Sequence, residues 1–338
     1  MSGSTAGWPS ELTLGELRYS FDELPVDEAP GAGWAHHGIA LLSDSTIVVC
    51  APDRACLVLL EPSGRPRARI DTDLVEMHGL RLTGPPDRPL LFVADNGHKF
   101  TPARPDYGER RRPGRVVALG LDGRCELELS VPAIAAYEQR SWQPCAVAVD
   151  EEHLGGSGDV FVADGYGESL LHRFAGDGTW RAAEDGGDSG VAFDTPHDVI
   201  IDRRRPRPEL LVADRTNRRL VAFDLNGQFL RTVGDGQLTS PSALAISGDL
   251  LFVAELHGRV VAIDADDNIQ GDLGARDDHH RPGWPNAVDP DGNTVAYRDR
   301  DHSHFNSPHG LATDETGALY VTEWRIGGRL VRLAPRPA

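Results

Sequence analysis

The sequence is poor in cysteine, in basic residues and in long apolar runs. Its four cysteines include no C-x-x-C pair and are interpreted as reduced thiols. Acidic residues outnumber basic ones by 52 to 34, and the formal net charge of -18 disfavours nucleic acid and anionic lipid surfaces as partners. No uncharged apolar stretch approaches the roughly 20 residues of a membrane helix, and the N-terminal residues lack the basic start and apolar core of a secretory signal. A cytoplasmic protein is therefore predicted.

Two common catalytic motifs are also missing. No G-x-S-x-G sequence and no P-loop occur, so neither serine hydrolysis from a nucleophile elbow nor the binding of nucleotide phosphates has motif support. The 37 glycines and 24 prolines in 338 residues instead indicate a globular chain with many short strands and loops.

A two-part unit recurs six times along the chain. Each unit has a turn residue or proline, then histidine or a small residue before an apolar run, and later Val-Ala-Asp or a variant. The units begin "HHGIALL", "MHGLRL", "PCAVAV", "PHDVII", "PSALAI" and "PHGLAT". Each offers three or four short strands separated by Gly, Asp and Pro turns, which is the pattern of a propeller blade.

The repeat predicts an all-β fold, a six-bladed β-propeller of the NHL-repeat type, over residues 34–338. Residues 1–33 are predicted to form an N-terminal segment packed on the propeller. Two long polar insertions, residues 97–114 and 274–306, interrupt the repeat and are predicted to lie over one face as lids or binding loops.

Equivalent positions of the six units should meet around the propeller axis, because the innermost strand of each blade lines the central channel. These positions, at intervals of 41 to 67 residues, are His37, His78, Cys145, His197, Ser242 and His309. Three imidazoles are a typical ligand set for a catalytic zinc ion. The sequence therefore predicts a metal site of His78, His197 and His309, with His37 as a fourth ligand or a supporting group, and with iron or copper as alternatives to zinc.

The residues around the Val-Ala-Asp strand ends fall into two groups: those that support the scaffold and those that are candidates for a chemical role. Asp95, Asp164 and Asp214 are predicted to satisfy backbone amides at strand ends. The residues that follow them differ from blade to blade and include Tyr166, Arg215 and Trp324. Since a repeat does not need such variety, these three are predicted to lie near the channel mouth.

The segments "VFVADGYGESLLHRFAGDG", "TPHDVIIDRRRPRPELLVADRTNRRLVAF" and "SPHGLATDETGALYVTEW" resemble the propeller of peptidyl-α-hydroxyglycine α-amidating lyase. The resemblance extends over about residues 34 to 334. It implies cleavage of the C–N bond of an N-acyl α-hydroxyglycine to a primary amide and glyoxylate, with a zinc ion on His78, His197 and His309. It also implies a catalytic tyrosine at Tyr166 and an active-site arginine at Arg215.

The chain departs from that family at two positions. The second arginine of the family meets Ala51 and Pro52, and only Arg54 lies close enough to replace it. The calcium-binding aspartate of the family falls on Gly310, so a structural calcium ion is not expected, although Asp198 follows His197.

These observations predict a zinc-dependent lyase that acts on a small-molecule or peptide-derived substrate with a carboxylate, and not on nucleic acid or membranes. Two other functions remain open. One is a metal-dependent hydrolase or a four-histidine metalloenzyme of secondary metabolism. The other is an NHL propeller that serves as a binding scaffold without catalysis, because a fold does not fix a function.

Overall fold

A computed structural model describes residues 11–25, 33–103, 106–298 and 303–336. Within these ranges the chain is almost entirely β-structure, with three short 3-10 helices: η1 (Ala135–Tyr137), η2 (Glu152–Leu154) and η3 (Gly187–Ser189). No helix in the described ranges has the length and apolar character needed to cross a membrane.

Six antiparallel sheets form the blades of a β-propeller, as the repeat predicts. Blade one contains β4 (Ala40–Leu41), β5 (Ile47–Cys50), β6 (Cys56–Leu60) and β7 (Pro66–Asp71). Blade two contains β8 (Met77–Thr83), β9 (Leu90–Asp95), β12 (Arg115–Gly120) and β13 (Cys125–Leu129). Blade three contains β14 (Ala146–Val149), β15 (Val160–Asp164), β16 (Leu170–Phe174) and β17 (Trp180–Glu184).

The second half of the ring follows the same plan. Blade four contains β18 (Pro196–Asp202), β19 (Glu209–Asp214), β20 (Arg219–Asp224) and β21 (Phe229–Val233). Blade five contains β22 (Pro241–Ser247), β23 (Leu250–Glu255), β24 (Arg259–Ile263) and β25 (Ile269–Leu273). Blade six contains β28 (Pro308–Thr313), β29 (Leu319–Glu323), β31 (Leu330–Arg336), β2 (Leu17–Leu24) and β1 (Glu11–Leu14).

Both ends of the described chain meet in blade six. Strand β2, from the N-terminal part, pairs antiparallel with β31, from the C-terminal part, with Phe21 opposite Leu333. Strand β1 then pairs with β2 at the outer edge of the sheet. The ring is thus closed by hydrogen bonds between the two ends. The boundary predicted at residue 33 stays a prediction, and residues 1–10 and 26–32 of the N-terminal segment lie outside the described residues.

The hydrophobic core lies between the blades rather than in one central mass. Each pair of neighbouring blades shares one cluster of buried side chains, and six such clusters complete the circle. The innermost strands contact one another in the order β4, β8, β14, β18, β22 and β28, and β28 contacts β4. The first residues of all six inner strands therefore approach one mouth of a central channel.

The two insertions each contain a hairpin, although residues 104–105 and 299–302 lie outside the description. Strands β10 (His98–Pro102) and β11 (Tyr107–Arg111) pair within the first insertion, and β26 (Ala287–Val288) and β27 (Thr294–Val295) pair within the second. A further short pair joins β3 (Trp34–Ala35) to β30 (Arg325–Ile326) beside the channel mouth.

Candidate metal centre

A backbone irregularity at the start of the inner strand directs each predicted ligand toward the axis. In blade two, Met77 lies opposite Asp95 but Gly79 lies opposite Ala94, so His78 is the extra residue of a β-bulge. His197 and His309 occupy the same position in β18 and β28. A bulge turns one side chain away from the alternation of the strand. The three histidines can therefore face the axis while the apolar residues after them enter the core.

Buried carboxylates hold the segment that leads into each of these strands. The Asp95 carboxylate accepts hydrogen bonds from the amides of Val75 and Glu76, both at 2.8 Å. The acidic residues at the corresponding ends of β15, β19, β23 and β29 accept equivalent bonds: Asp164, Asp214, Glu255 and Glu323. The predicted scaffold role of Asp95, Asp164 and Asp214 is confirmed.

The same hydrogen bond orients each of the three imidazoles. Nδ1 of His78 lies 2.7 Å from the carbonyl oxygen of Cys145, which is the equivalent residue in the next blade. Nδ1 of His197 lies 2.7 Å from the Ser242 carbonyl, and Nδ1 of His309 lies 3.2 Å from the His37 carbonyl. Because a carbonyl can only accept, each Nδ1 carries the proton and each Nε2 keeps its lone pair.

Glycine after the histidine permits this close approach of the blades. A Cβ atom at Gly79 would collide with the Cys145 carbonyl, and one at Gly310 would lie 2.9 Å from Cα of Gly38. The His-Gly pairs of the repeat thus have a packing reason. They also leave no room for an acidic side chain at residue 310.

Four imidazoles converge where the inner strands begin. The ring centroids of His78, His197 and His309 lie 4.6 to 5.0 Å apart, and His36 lies 4.6 Å from His78 and 4.7 Å from His309. One ring nitrogen from each of the four lies within 4.8 Å of the others. The Nε2 atoms of His78 and His309 are buried without a hydrogen-bond partner. Unpaired buried nitrogens on rings fixed by backbone carbonyls fit the ligand set of a metal ion.

The fourth imidazole is His36 and not the predicted His37. His37 is buried, its Nδ1 lies 2.9 Å from the Gly38 carbonyl, and it does not belong to the group of four. The pairing register places Ala51 where blade two has Asp95, so blade one has no carboxylate at this position to hold the segment before His37. Pairing of β3 with β30 holds that segment instead, and it brings His36 to the axis.

Burial keeps the four imidazoles neutral. It lowers the pKa of His78 to about 3, and it lowers the pKa values of His36, His197 and His309 well below the ordinary 6.5. The cationic Arg215 guanidinium acts on all four in the same direction. Neutral imidazole is the form that binds metal ions.

Tyr166 and Arg215, both predicted from the sequence, lie beside this group. The Tyr166 hydroxyl is 2.9 Å from Nε2 of His197, 3.1 Å from Nε2 of His36 and 3.2 Å from Nη1 of Arg215. Burial raises the pKa of Tyr166 to about 12, although Arg215 acts to lower it. Within the described part of the chain, no carboxylate forms an ion pair with Arg215, so this guanidinium is available to an anion.

A cavity of about 300 Å³ opens beside the imidazoles. Its lining consists of His36, His98, Phe100, Tyr166, Arg215, His309 and Trp324. Trp324 was expected near the mouth, but His98 and Phe100 come from β10 and were not predicted individually. Their alternation in "HKF" places both on one face of a strand, which is the sequence signal that could have identified them.

Two residues that the sequence places at the channel mouth or among the catalytic candidates, Cys145 and Arg54, lie apart from the group. The Arg54 side chain is 48% exposed, pairs with Asp53 and does not line the cavity. Cys145 contributes its carbonyl to His78, whereas its thiol is 3.8 Å from the carbonyl of Gln143 and does not join the imidazoles.

Asp198 lies further along the channel and is already paired. Its carboxylate accepts the Leu244 amide at 2.7 Å and lies 3.5 Å from the Arg81 guanidinium. A chain cation therefore neutralises this acidic residue.

Two further features were compared with this site. Asp277, His279 and His280 form a second possible ligand group, but Asp277 and His280 are exposed and lie on the second insertion. A cavity of about 690 Å³ lies at the opposite end of the inner strands, and its lining contains no histidine. The buried imidazoles make the first site the best candidate for chemistry.

No protein-family model matches the sequence, and no curated protein matches it significantly. Solved structures do match the fold. A streptogramin B lyase is 11% identical with a TM-score of 0.57, covering 96% of this chain and all of the other. A virginiamycin B lyase from Staphylococcus aureus is 10% identical with a TM-score of 0.53, covering 94% of this chain and 99% of the other.

A third similar structure is a Bacteroides thetaiotaomicron protein of unknown function. It is 11% identical, has a TM-score of 0.60, and the match covers 93% of this chain and 72% of that one. At these identities the likeness establishes the propeller fold alone. Membership of the amidating-lyase family and the NHL character of the repeat stay predictions.

Proposed function

We propose that this protein is a metal-dependent lyase that cleaves the C–N bond of an N-acyl α-hydroxyglycine or a related hemiaminal. The observation that carries the proposal is the set of three imidazoles, His78, His197 and His309, each with Nδ1 bonded to a backbone carbonyl and Nε2 directed to a shared centre. Three oriented ligands with an open position are typical of catalytic zinc. Two of the structural neighbours with this fold are named as lyases, and this supports a lyase among the candidate enzymes.

Zinc on these three imidazoles would act as a Lewis acid toward the substrate hydroxyl. The Arg215 guanidinium, which has no carboxylate partner among the described residues, pairs with the substrate carboxylate and orients the hydroxyl toward Tyr166. Arg54 lies too far out in the present arrangement to line the same cavity, so the proposal assigns it no step.

Proton transfer is assigned to the Tyr166 hydroxyl. It accepts the proton of the substrate hydroxyl while its own proton passes to the departing nitrogen, and the neutral His36 ring, with Nε2 3.1 Å away, orients the hydroxyl. The oxygen forms a carbonyl, the C–N bond breaks, and the departing nitrogen receives a proton back through the same hydroxyl. The products are a primary amide and glyoxylate, and no oxidant or water is consumed.

The test of this proposal combines metal content with turnover. We expect purified protein to contain about one metal ion per chain and to release glyoxylate from N-acyl α-hydroxyglycines. Tyr166→Phe should keep the metal and lose about 10²- to 10⁴-fold in turnover, the usual contribution of general acid–base catalysis. Tyr320→Phe is the matched control, because the Tyr320 hydroxyl that it removes donates to Asp314 in blade six. Full turnover of Tyr166→Phe would remove Tyr166 from the reaction.

A four-histidine metalloenzyme is the second candidate, because His36 belongs to the same group. His36 differs from the other three, since its Nδ1 is buried without a partner and its Nε2 lies beside Tyr166. His36→Ala and His37→Ala form a matched pair of variants. Loss of the metal from His36→Ala alone would favour the four-ligand enzyme, whereas retention of the metal by both favours the lyase. Protein without any metal would favour a binding scaffold.

A further inference from the structure

The cavity beside the imidazoles has one apolar side, built by residues far apart in the sequence. Phe100 comes from the hairpin of the first insertion and Trp324 follows the second strand of blade six. Trp34, on β3, packs against both rings: its centroid is 4.9 Å from Phe100 and 5.5 Å from Trp324, with interplanar angles of 31° and 30°. Trp34 therefore joins the Phe100 and Trp324 rings into one aromatic wall, in which each neighbouring pair of rings is tilted by about 30°.

The wall is fixed in place by contacts outside the cavity. Lys99, next to Phe100, donates to both carboxylate oxygens of Glu76 at 2.9 and 3.1 Å, and Glu76 is only 2% exposed. This ion pair attaches the hairpin to blade two. Trp284, from the second insertion, lies 5.9 Å from Trp324 at a steep angle. Since both insertions support the wall, it is organised before a ligand enters.

The charge of the cavity restricts the ligand. None of the lining residues is acidic, the imidazoles are neutral, and Arg215 supplies a positive charge. Aromatic cages often bind organic cations, but the Arg215 guanidinium would repel a cation at this wall. A guanidinium at the edge of the wall therefore favours a ligand that is anionic at one end and apolar at the other.

We propose that this cavity binds the acyl group of the substrate as an aromatic ring stacked against Trp324 and Phe100, while Arg215 pairs with the carboxylate. The inference rests on the proposed function, because the acyl group in question is that of the lyase substrate. A volume of about 300 Å³ is at the lower end of ligand pockets and suits one ring with a short polar head. Aromatic acyl groups gain area and stacking against such a wall that an acetyl group does not.

Binding can be measured apart from turnover with N-acylglycines, which lack the reacting hydroxyl. We expect isothermal titration of the metal-loaded protein to show N-benzoylglycine binding at least about tenfold more tightly than N-acetylglycine. Benzyltrimethylammonium, with a ring and a cation, should not bind measurably. Equal affinities for the two acylglycines, or tighter binding of the cation, would overturn the inference.

Two wall variants and two controls make the test specific. Phe100→Ala and Trp324→Ala should each bring the benzoyl-to-acetyl preference close to one, because N-benzoylglycine loses the contact of its ring with the wall and N-acetylglycine has no ring to lose. Arg215→Gln should weaken both acylglycines alike and keep the preference. Trp180→Phe, on the outer strand of blade three, should behave as the parent protein. A preference that survives in both alanine variants places the ring elsewhere and contradicts the proposal.

Glyoxylate release from the matching α-hydroxy compounds separates this inference from the proposed function. If N-benzoylglycine is preferred but no glyoxylate forms, the lyase proposal fails and the aryl site stands. If glyoxylate forms from the acetyl and benzoyl substrates with the same KM, the lyase stands and the aryl site fails.

Discussion

Replacing Asp95 by alanine should damage the metal centre from a distance. Asp95 is 2% exposed and touches neither an imidazole nor the cavity, yet its carboxylate holds the amides of Val75 and Glu76 just before His78. The variant leaves both amides without an acceptor, together with the amide of Gly97, which bonds to the same carboxylate at 3.0 Å. A buried unsatisfied amide costs about 1 to 3 kcal/mol, so three cost on the order of 6 kcal/mol.

Part of this cost is offset. Burial raises the pKa of Asp95, which means that the fold disfavours its charged form, and removal of the carboxylate relieves that unfavourable burial. We therefore expect a net loss of about 3 to 4 kcal/mol in the free energy of unfolding, or roughly 4 to 6 °C in Tm for a chain of this length. Loosening of the segment before His78 should also weaken metal binding by about 10- to 100-fold, as loss of a supporting contact does.

Thermal unfolding and a metal titration of the same samples measure the two effects. Asp122→Ala is the control, because Asp122 accepts the Arg124 amide on an exposed turn of the same blade. It should shift Tm by no more than a degree or two and leave metal affinity intact. An Asp95→Ala protein that unfolds early but binds metal normally would show that the carboxylate supports the fold without positioning His78.

Three further outcomes are expected. Burial raises the pKa of Asp164 from 3.8 to about 6. Its contribution to the free energy of unfolding is therefore complete below pH 3.8 and is lost as the pH rises through 6. In urea unfolding, Asp164→Asn should flatten this fall in stability between about pH 4 and 6. Gly79→Ala should lower Tm and metal content because its Cβ collides with the neighbouring blade. Gly108→Ala should do neither, because the nearest atom to its Cβ would be the Thr101 hydroxyl oxygen at 3.3 Å. Lys99→Met leaves Glu76 buried without its cation and should release the hairpin, seen as faster proteolysis within residues 98–111 and weaker binding of N-benzoylglycine.

The fold could be predicted because its information is local and repeated. Each blade carries its own turn residues and apolar alternation, and six copies of a weak pattern indicate a propeller more strongly than any single copy. Closure by the N-terminal strand β2 could not be predicted in this way, because β2 lies outside the six units and completes blade six by pairing with β31.

Three of the four converging imidazoles could be predicted for the same reason. His78, His197 and His309 follow a Pro or Met at the same position of three blades, where the bulge, the strand-end carboxylate and the next carbonyl recur. The walls of the cavity could not be predicted in this way. Phe100 belongs to an insertion that has no counterpart in the other blades, so no repeat position indicates where its ring lies.

The choice between His36 and His37 shows where the repeat ceases to be informative. His37 is followed by a glycine, as His78 is, so a comparison of the repeat units selects His37 as the ligand. Which histidine faces the axis depends on a second residue, the acidic residue at the end of the next strand. Blade one has Ala51 at that position. Without that carboxylate, the segment before His37 pairs with β30 through β3. The residue that reaches the axis is then His36, one position earlier than the repeat indicates. A ligand position in this propeller is thus defined by two sites 14 to 17 residues apart, and a unit that retains only the histidine does not retain the direction of its side chain.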